Sequence, residues 1–297
     1  MDARTRRGPR RRPGRRGRAC CRPGGTWARA CCRRSSAPPT GPAGLSGPFG
    51  LGWRLQSRPL YGWLAGFAVL GVVYGAVAGG VGDMMKDNPD LEKIFTRIGG
   101  GGGIIDAYFA SVMSTLGLIA AAYAVSATLR LRAEEAAQRA EPLLATPAGR
   151  LRWASSHLAF ALLGPVAALG VAGLAAGLAH GLDTGDPGRE VPRVLGAALA
   201  QLPAVWLVGA IGLALFGLAP RFTGGAWAAV AVFAVVTLFG AGLNLDQWAL
   251  DVSPFTHVPK LPGRSFTAAP VIWLVALAAA LSAVGLAAFR RRDIASS

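Results

Sequence analysis

Leu129–Trp153 reads L-R-L-R-A-E-E-A-A-Q-R-A-E-P-L-L-A-T-P-A-G-R-L-R-W, and the reading of this stretch decides the fold. From about residue 60 onward the chain is otherwise apolar, and these residues form a charged island between two apolar blocks, with five Arg and three Glu. Glu135 and Arg139 stand four apart in the order that favours a surface helical ion pair. Pro142 ends that helix, because proline lacks the N–H and disfavours helical geometry at Glu141. Thr146 as N-cap and Pro147 at the first helical position start the next one. The spacing predicts a helix, a hard break carrying Leu143-Leu144-Ala145, and a second helix leading into the next apolar block. Such a polar elbow can receive a push from a soluble partner.

The chain has 297 residues, 52% hydrophobic and 15% charged, with a mean hydropathy of +0.40. The charged fraction is well below the quarter usual for soluble proteins and points to a membrane. The net charge of +16 is unevenly placed. Residues 1–58 hold fifteen Arg and one acid, a net of +14, which leaves +2 for the remainder. Residues 1–48 are rich in Arg, Gly, Pro and Ser and cannot bury a core, so disorder is expected there. This tail reads as a solvated topogenic arm or as out-of-frame coding sequence. No aromatic interleaving or RNA motif supports specific nucleic-acid binding. It is not a signal peptide, because no apolar run follows the basic residues within the first thirty. All four cysteines lie in the tail as Cys20-Cys21 and Cys31-Cys32, a spacing that suits zinc poorly.

About twenty apolar residues cross a hydrocarbon core, and six stretches qualify: 60–81, 104–129, 156–178 (bent near Pro165), 195–218 (with Pro203 inside), 227–243 and 271–289. The fold class expected is therefore an all-α polytopic membrane protein, with residues 49–297 as one six-span domain and 129–153 as its polar elbow. In the first span Gly71, Gly75 and Gly79 share one face and permit close helix approach. Between spans one and two, Asn88-Pro89 can start an amphipathic surface helix carrying Leu91, Ile94, Phe95 and Ile98, followed by five glycines at 99–103. Between spans five and six, Asn244 and Gln247 resemble a capping box, and Leu245, Trp248, Ala249 and Val252 follow at helical spacing. Pro254, Pro259 and Pro262 shape the rest of that loop, which re-enters the outer leaflet, forms a lid over an exit or lies at the interface. With the N-terminus inside, the inner segments after the tail carry eleven basic residues and the outer loops seven, plus most of the acids. The positive-inside rule thus places both termini in the cytoplasm of a plasma-membrane protein.

The chemistry is sparse. No phosphate-binding G-x-x-x-x-G-K-[ST] loop, nucleophile elbow or metal-spaced histidine pair occurs, so no catalytic, cofactor or metal residues are assigned. His157, His180 and His257 read as satisfied or solvated, and Asp106 as reaching water at the outer edge of span two. The span centres hold no Asp, Glu, Lys or Arg, which disfavours a secondary transporter powered by ions. Ser111, Ser114, Thr115, Gln201 and Thr237 are the polar points that can line a path.

The run Glu134–Pro147, followed by Arg150, Trp153 and Ser156-His157-Leu158, resembles the first cytoplasmic loop of type 2 ABC exporter permeases, especially the actinobacterial polyketide-antibiotic exporters of the tetronasin-resistance type. The loop Gly242–Gly263 and the ending Phe289–Ile294 are similar to the same family. The resemblance implies six spans per half, a coupling helix and re-entrant outer helices. It further implies a separate ABC ATPase subunit that holds the ATP, and a lipophilic small-molecule substrate. Glu134, Glu135, Arg139, Glu141, Pro142, Thr146 and Pro147 fall on its coupling motif, and Trp248, Pro254, Phe255, His257 and Pro259 on its outer loop. Gln138 departs from the Gly frequent in relatives. Only one six-span half is present where relatives often carry two, so either the chain pairs with another half or a second copy, or it is a truncated, non-transporting membrane protein.

Overall fold

The computed structural model describes residues 48–86, 103–136, 150–240, 246–263 and 266–291. Their regular elements are all helices: α1 (Pro48–Lys86), α2 (Ile104–Ala136), α3 (Arg150–Thr184), α4 (Pro187–Leu199), α5 (Leu202–Leu218), α6 (Gly225–Phe239), α7 (Gln247–Leu250) and α8 (Ala268–Arg291), with 3₁₀ turns at Pro220–Phe222 and Pro254–Thr256. The tail, the expected helix after Asn88-Pro89 and most of the elbow lie outside the described residues.

Among the described residues, five stretches are long and apolar enough to cross a membrane: Gln56–Gly80, Ile104–Arg130, Leu158–Thr184, Pro187–Leu218 and Ala268–Arg290. The α2 stretch is 67% buried and forms the centre of the bundle, whereas the α8 stretch is only 17% buried. Val69, Val72, Val73 and Val77 on α1, and Ile272 and Trp273 on α8, are exposed. Apolar surface on that scale needs hydrocarbon rather than water around it.

The structure alters two of the expected spans. The fourth runs from Pro187 to Leu218 and is divided into two helices at Ala200-Gln201, where the backbone stays right-handed helical. Pro203 cannot donate to the Leu199 carbonyl, so the helical ladder is interrupted at that point. Its first half also begins earlier than the apolar block suggested, because Gly185 at φ +78 reverses the chain and Asp186 caps α4 by accepting from the Arg189 N–H at 3.2 Å, with Pro187 at the first helical position. The fifth is shorter than expected. Helix α6 has fifteen residues, about 22 Å long at 1.5 Å per residue, against roughly 30 Å of hydrocarbon.

Small residues set the closest contacts. Gly71 and Gly75 lie against Ala172 and Ala176 of α3, and Gly79 against Asp183. A second row of glycines on α3, Gly173, Gly177 and Gly181, receives Leu195, Val191 and Pro187 of the α4 segment. Helix α3 is thus clasped from two sides. Gly217 of α5 meets the backbone of Gly285 of α8, whose own Cβ position lies 2.8 Å from the Leu213 carbonyl. Gly217→Val is expected to force these helices apart and cost about 2 kcal/mol, read as a lower midpoint in thermal unfolding of the purified protein. A midpoint equal to wild type would show that the contact does not limit packing.

Candidate functional site

Three places bear on a candidate site. The first is the elbow. Helix α2 continues past the apolar block to Ala136, so the backbone at Glu134 and Glu135 is helical, as the charge pattern predicts. Arg139, Glu141, Pro142, Thr146 and Pro147 lie outside the described residues, and α3 is described from Arg150.

The second lies at the opposite end of α2. Asp106, in its first turn, is 8% exposed and does not reach water as expected. Arg193 of α4 donates from Nη2 to Asp106 Oδ1, and from Nη1 to both carboxylate oxygens of Glu190 at 3.2 and 3.1 Å. Two carboxylates therefore share one guanidinium. Gly263, in the segment before α8, packs against this cluster: its Cβ position is 3.3 Å from the Asp106 Cβ. His180 is 3% exposed, stacks edge-on against Phe109 at 5.3 Å, and its Nδ1 has no hydrogen-bond partner. That nitrogen is neither satisfied nor solvated. His257 is exposed, with Nδ1 at 3.2 Å from the Ser253 carbonyl, and His157 has no described side chain.

The third is midway along α2. Phe255, from the segment joining α6 to α8, and Gln201, from the α4–α5 break, both close on Gly117, whose Cβ position is 3.1 Å from Phe255 Cε1 and 3.1 Å from Gln201 Cβ. Gly263 meets α2 at residue 106 and Phe255 meets it at residue 117, so the segment descends about 16 Å along the helix. Ser253, Phe255 and Val258 are buried. The segment enters the bundle beside the end of α6. Thr237 near the end of α6 shares a 2.8 Å hydrogen bond with Ser253, and Thr256 donates to the carbonyls of Leu250 at 2.9 Å and Ser253 at 2.6 Å.

Of the expected outer-loop residues, Pro254, Phe255 and Pro259 are buried, while Trp248 and His257 are exposed. Asn244 of the expected capping box lies outside the described residues; Asp246 is the N-cap of α7, and Gln247 donates to Asp251 at 2.8 Å. The expected amphipathic helix shrinks to the four residues of α7, with Val252 also exposed. Of the five polar points, Ser114 and Gln201 meet at 3.5 Å, Thr237 meets Ser253, and Thr115 donates to the Ser111 carbonyl of its own helix at 3.1 Å. Sequence reasoning missed the Arg193–Glu190 half of the cluster. Its signal was the i,i+3 spacing behind Asp186-Pro187, a capped helix start.

An apolar groove of about 330 Å³ opens beside α1 and α2, lined by Gly62, Trp63, Gly66, Phe67 and Ile119 among others.

Long apolar helices with apolar outer faces, a span broken between α4 and α5 and a segment that enters the bundle define an all-helical polytopic membrane protein. Residues 45–290 match the family described as the multidrug efflux system permease Rv1217c, C-terminal domain, and the chain belongs to that family. The multidrug efflux system permease protein Rv1217c of Mycobacterium tuberculosis (strain ATCC 25618 / H37Rv) is 47% identical over 259 residues, which cover 86% of this chain and 47% of that protein. The chain spans about half the length of the curated relative it matches.

Proposed function

We propose that this chain is one membrane half of an ATP-driven ABC exporter in the plasma membrane, carrying a lipophilic compound such as a polyketide antibiotic. The observation that carries the reading is the 47% identity to a multidrug efflux permease. Two features of the sequence support it. The chain has no phosphate-binding loop and no charge at the span centres, so the driving energy comes from another subunit. The charged elbow at 129–153 is the segment suited to receive it, with Glu134, Glu135 and Arg139 facing an ABC ATPase in the cytoplasm alongside both termini. The half-length match further supports pairing with a second six-span half or a second copy.

The test is to express the chain with the ATPase encoded beside it, and to measure co-purification and ATP-dependent efflux of a lipophilic antibiotic. Glu134→Lys with Glu135→Lys is expected to abolish co-purification and to lower efflux at least tenfold. Unchanged co-purification would remove the coupling role from the elbow. Co-purification without any efflux by the wild-type chain would favour a non-transporting membrane protein.

A further inference from the structure

Gln201 is 3% exposed, yet its Oε1 accepts no hydrogen bond. Its Nε2 reaches Ser114 Oγ only at 3.5 Å, the outer limit of a bond. A buried amide left partly unpaired costs roughly 1–3 kcal/mol, and leucine, of similar volume, would fill the same joint without that cost. The helix break does not require glutamine either, since Pro203 already interrupts the ladder. Phe255 sits over the same point on Gly117. It belongs to a connecting segment and not to a spanning helix, and that segment is tied to α6 through the Thr237–Ser253 hydroxyl pair.

We propose that Gln201 and Ser114 form the polar recognition point for the exported ligand, with Phe255 closing over it, and that the ligand is a lipophilic molecule carrying a hydroxyl or N–H donor. The inference rests on the export reading above and names the chemistry of its substrate. The donor pairs with Gln201 Oε1, which removes the cost of the unpaired amide, and the apolar body of the ligand takes the place of Phe255. In the state described here the point is occluded, because Gln201 and Phe255 both close on Gly117. Outward movement of the connecting segment uncovers it.

The test uses a matched pair of fluorescent probes, N-phenyl-1-naphthylamine, which has one N–H donor, and its N-methyl analogue, which has none. Binding to the purified full-length chain in nanodiscs is measured against empty nanodiscs. The wild-type chain is expected to prefer the N–H probe. Gln201→Leu is expected to weaken that probe about tenfold and to leave the N-methyl probe unchanged, while its thermal midpoint stays at or above wild type. Ser114→Ala gives a smaller loss in the same direction. Equal affinity of the wild-type chain for the two probes, an equal loss of both in Gln201→Leu, or no binding of the N–H probe would each overturn the proposal. Binding needs no ATPase, so its outcome is separate from that of export. If the probes discriminate but the wild-type chain with its ATPase moves neither, the export reading fails and the recognition point stands.

Discussion

Gly75→Leu is expected to lower the thermal midpoint of the purified protein by roughly 10 °C, corresponding to a loss of about 3 kcal/mol at the upper end of overpacking costs. The reason lies in what surrounds the missing Cβ. At Gly75 it would run into the Ala176 carbonyl, with Ala176 Cα at 2.9 Å and Ala179 Cβ at 2.8 Å. A carbonyl within a helix cannot swing aside as a flexible side chain can, so α1 and α3 must separate. Separation also loosens the Gly71 contact one turn away, where the Cβ position lies 2.5 Å from the Ala172 carbonyl. The control is Gly80→Ala on the same helix. Gly80 has nothing within 4 Å, and alanine there gains up to about 1 kcal/mol in helix stability. The two substitutions should therefore shift the midpoint in opposite directions. A fall of the same size at both positions would mean that the loss comes from helix α1 alone and not from its seam with α3.

The glycine spacing of the first span was legible because helical periodicity puts residues 71, 75 and 79 on one face whatever lies opposite. The partner was not legible, since one sequence does not say which helix meets which. Helix α3 offers small residues on two faces, Ala172 and Ala176 on one, and Gly173 and Gly177 on the other. Only the folded bundle shows that the first pair takes α1 and the second takes α4. The spans themselves were legible from composition, because a bilayer demands about twenty apolar residues per crossing. Where that rule fails, the reason is physical. Helix α6 ends at Phe239 and the buried Phe255 and Val258 come from a connecting segment, and a hydropathy count registers apolar residues without regard to which element supplies them.

The polar residues show the same division. Thr115 bonds its own helix, a local contact that its spacing from Ser111 predicts. Gln201 and Ser114 are 87 residues apart, as are Arg193 and Asp106. Such pairings arise from tertiary packing, and no local pattern carries them. Asp106 therefore read as solvated, since at the end of an apolar block water is the default partner for a carboxylate without a visible cation. Glu190 and Arg193 read as loop residues because the apolar block begins after them, although Asp186 and Pro187 already marked a helix start.

Arg193→Leu follows from that cluster and should be the more damaging of two related substitutions. The Asp106 and Glu190 side chains are each only 11% exposed, and among the described residues both pair with the Arg193 guanidinium. Removing one partner of a buried ion pair costs about 3–5 kcal/mol. Arg193 itself is 32% exposed, so water reaches its side of the cluster and the expected loss is reduced to about 2–3 kcal/mol. Asp106→Asn removes one carboxylate charge while Arg193 keeps both bonds to Glu190, so its loss should be near 1 kcal/mol. Arg193→Lys should not restore stability, because an ammonium lacks the planar fork that serves Asp106 from Nη2 and Glu190 from Nη1 together. Thermal unfolding of the three single variants and of Asp106→Asn with Arg193→Leu closes a double-mutant cycle. With the arginine gone, Asp106→Asn should become stabilising, since it removes one of two unpaired carboxylates near each other. If it remains destabilising in that background, Asp106 does not draw its stability from Arg193, and the guanidinium does not hold the first turn of α2 to α4.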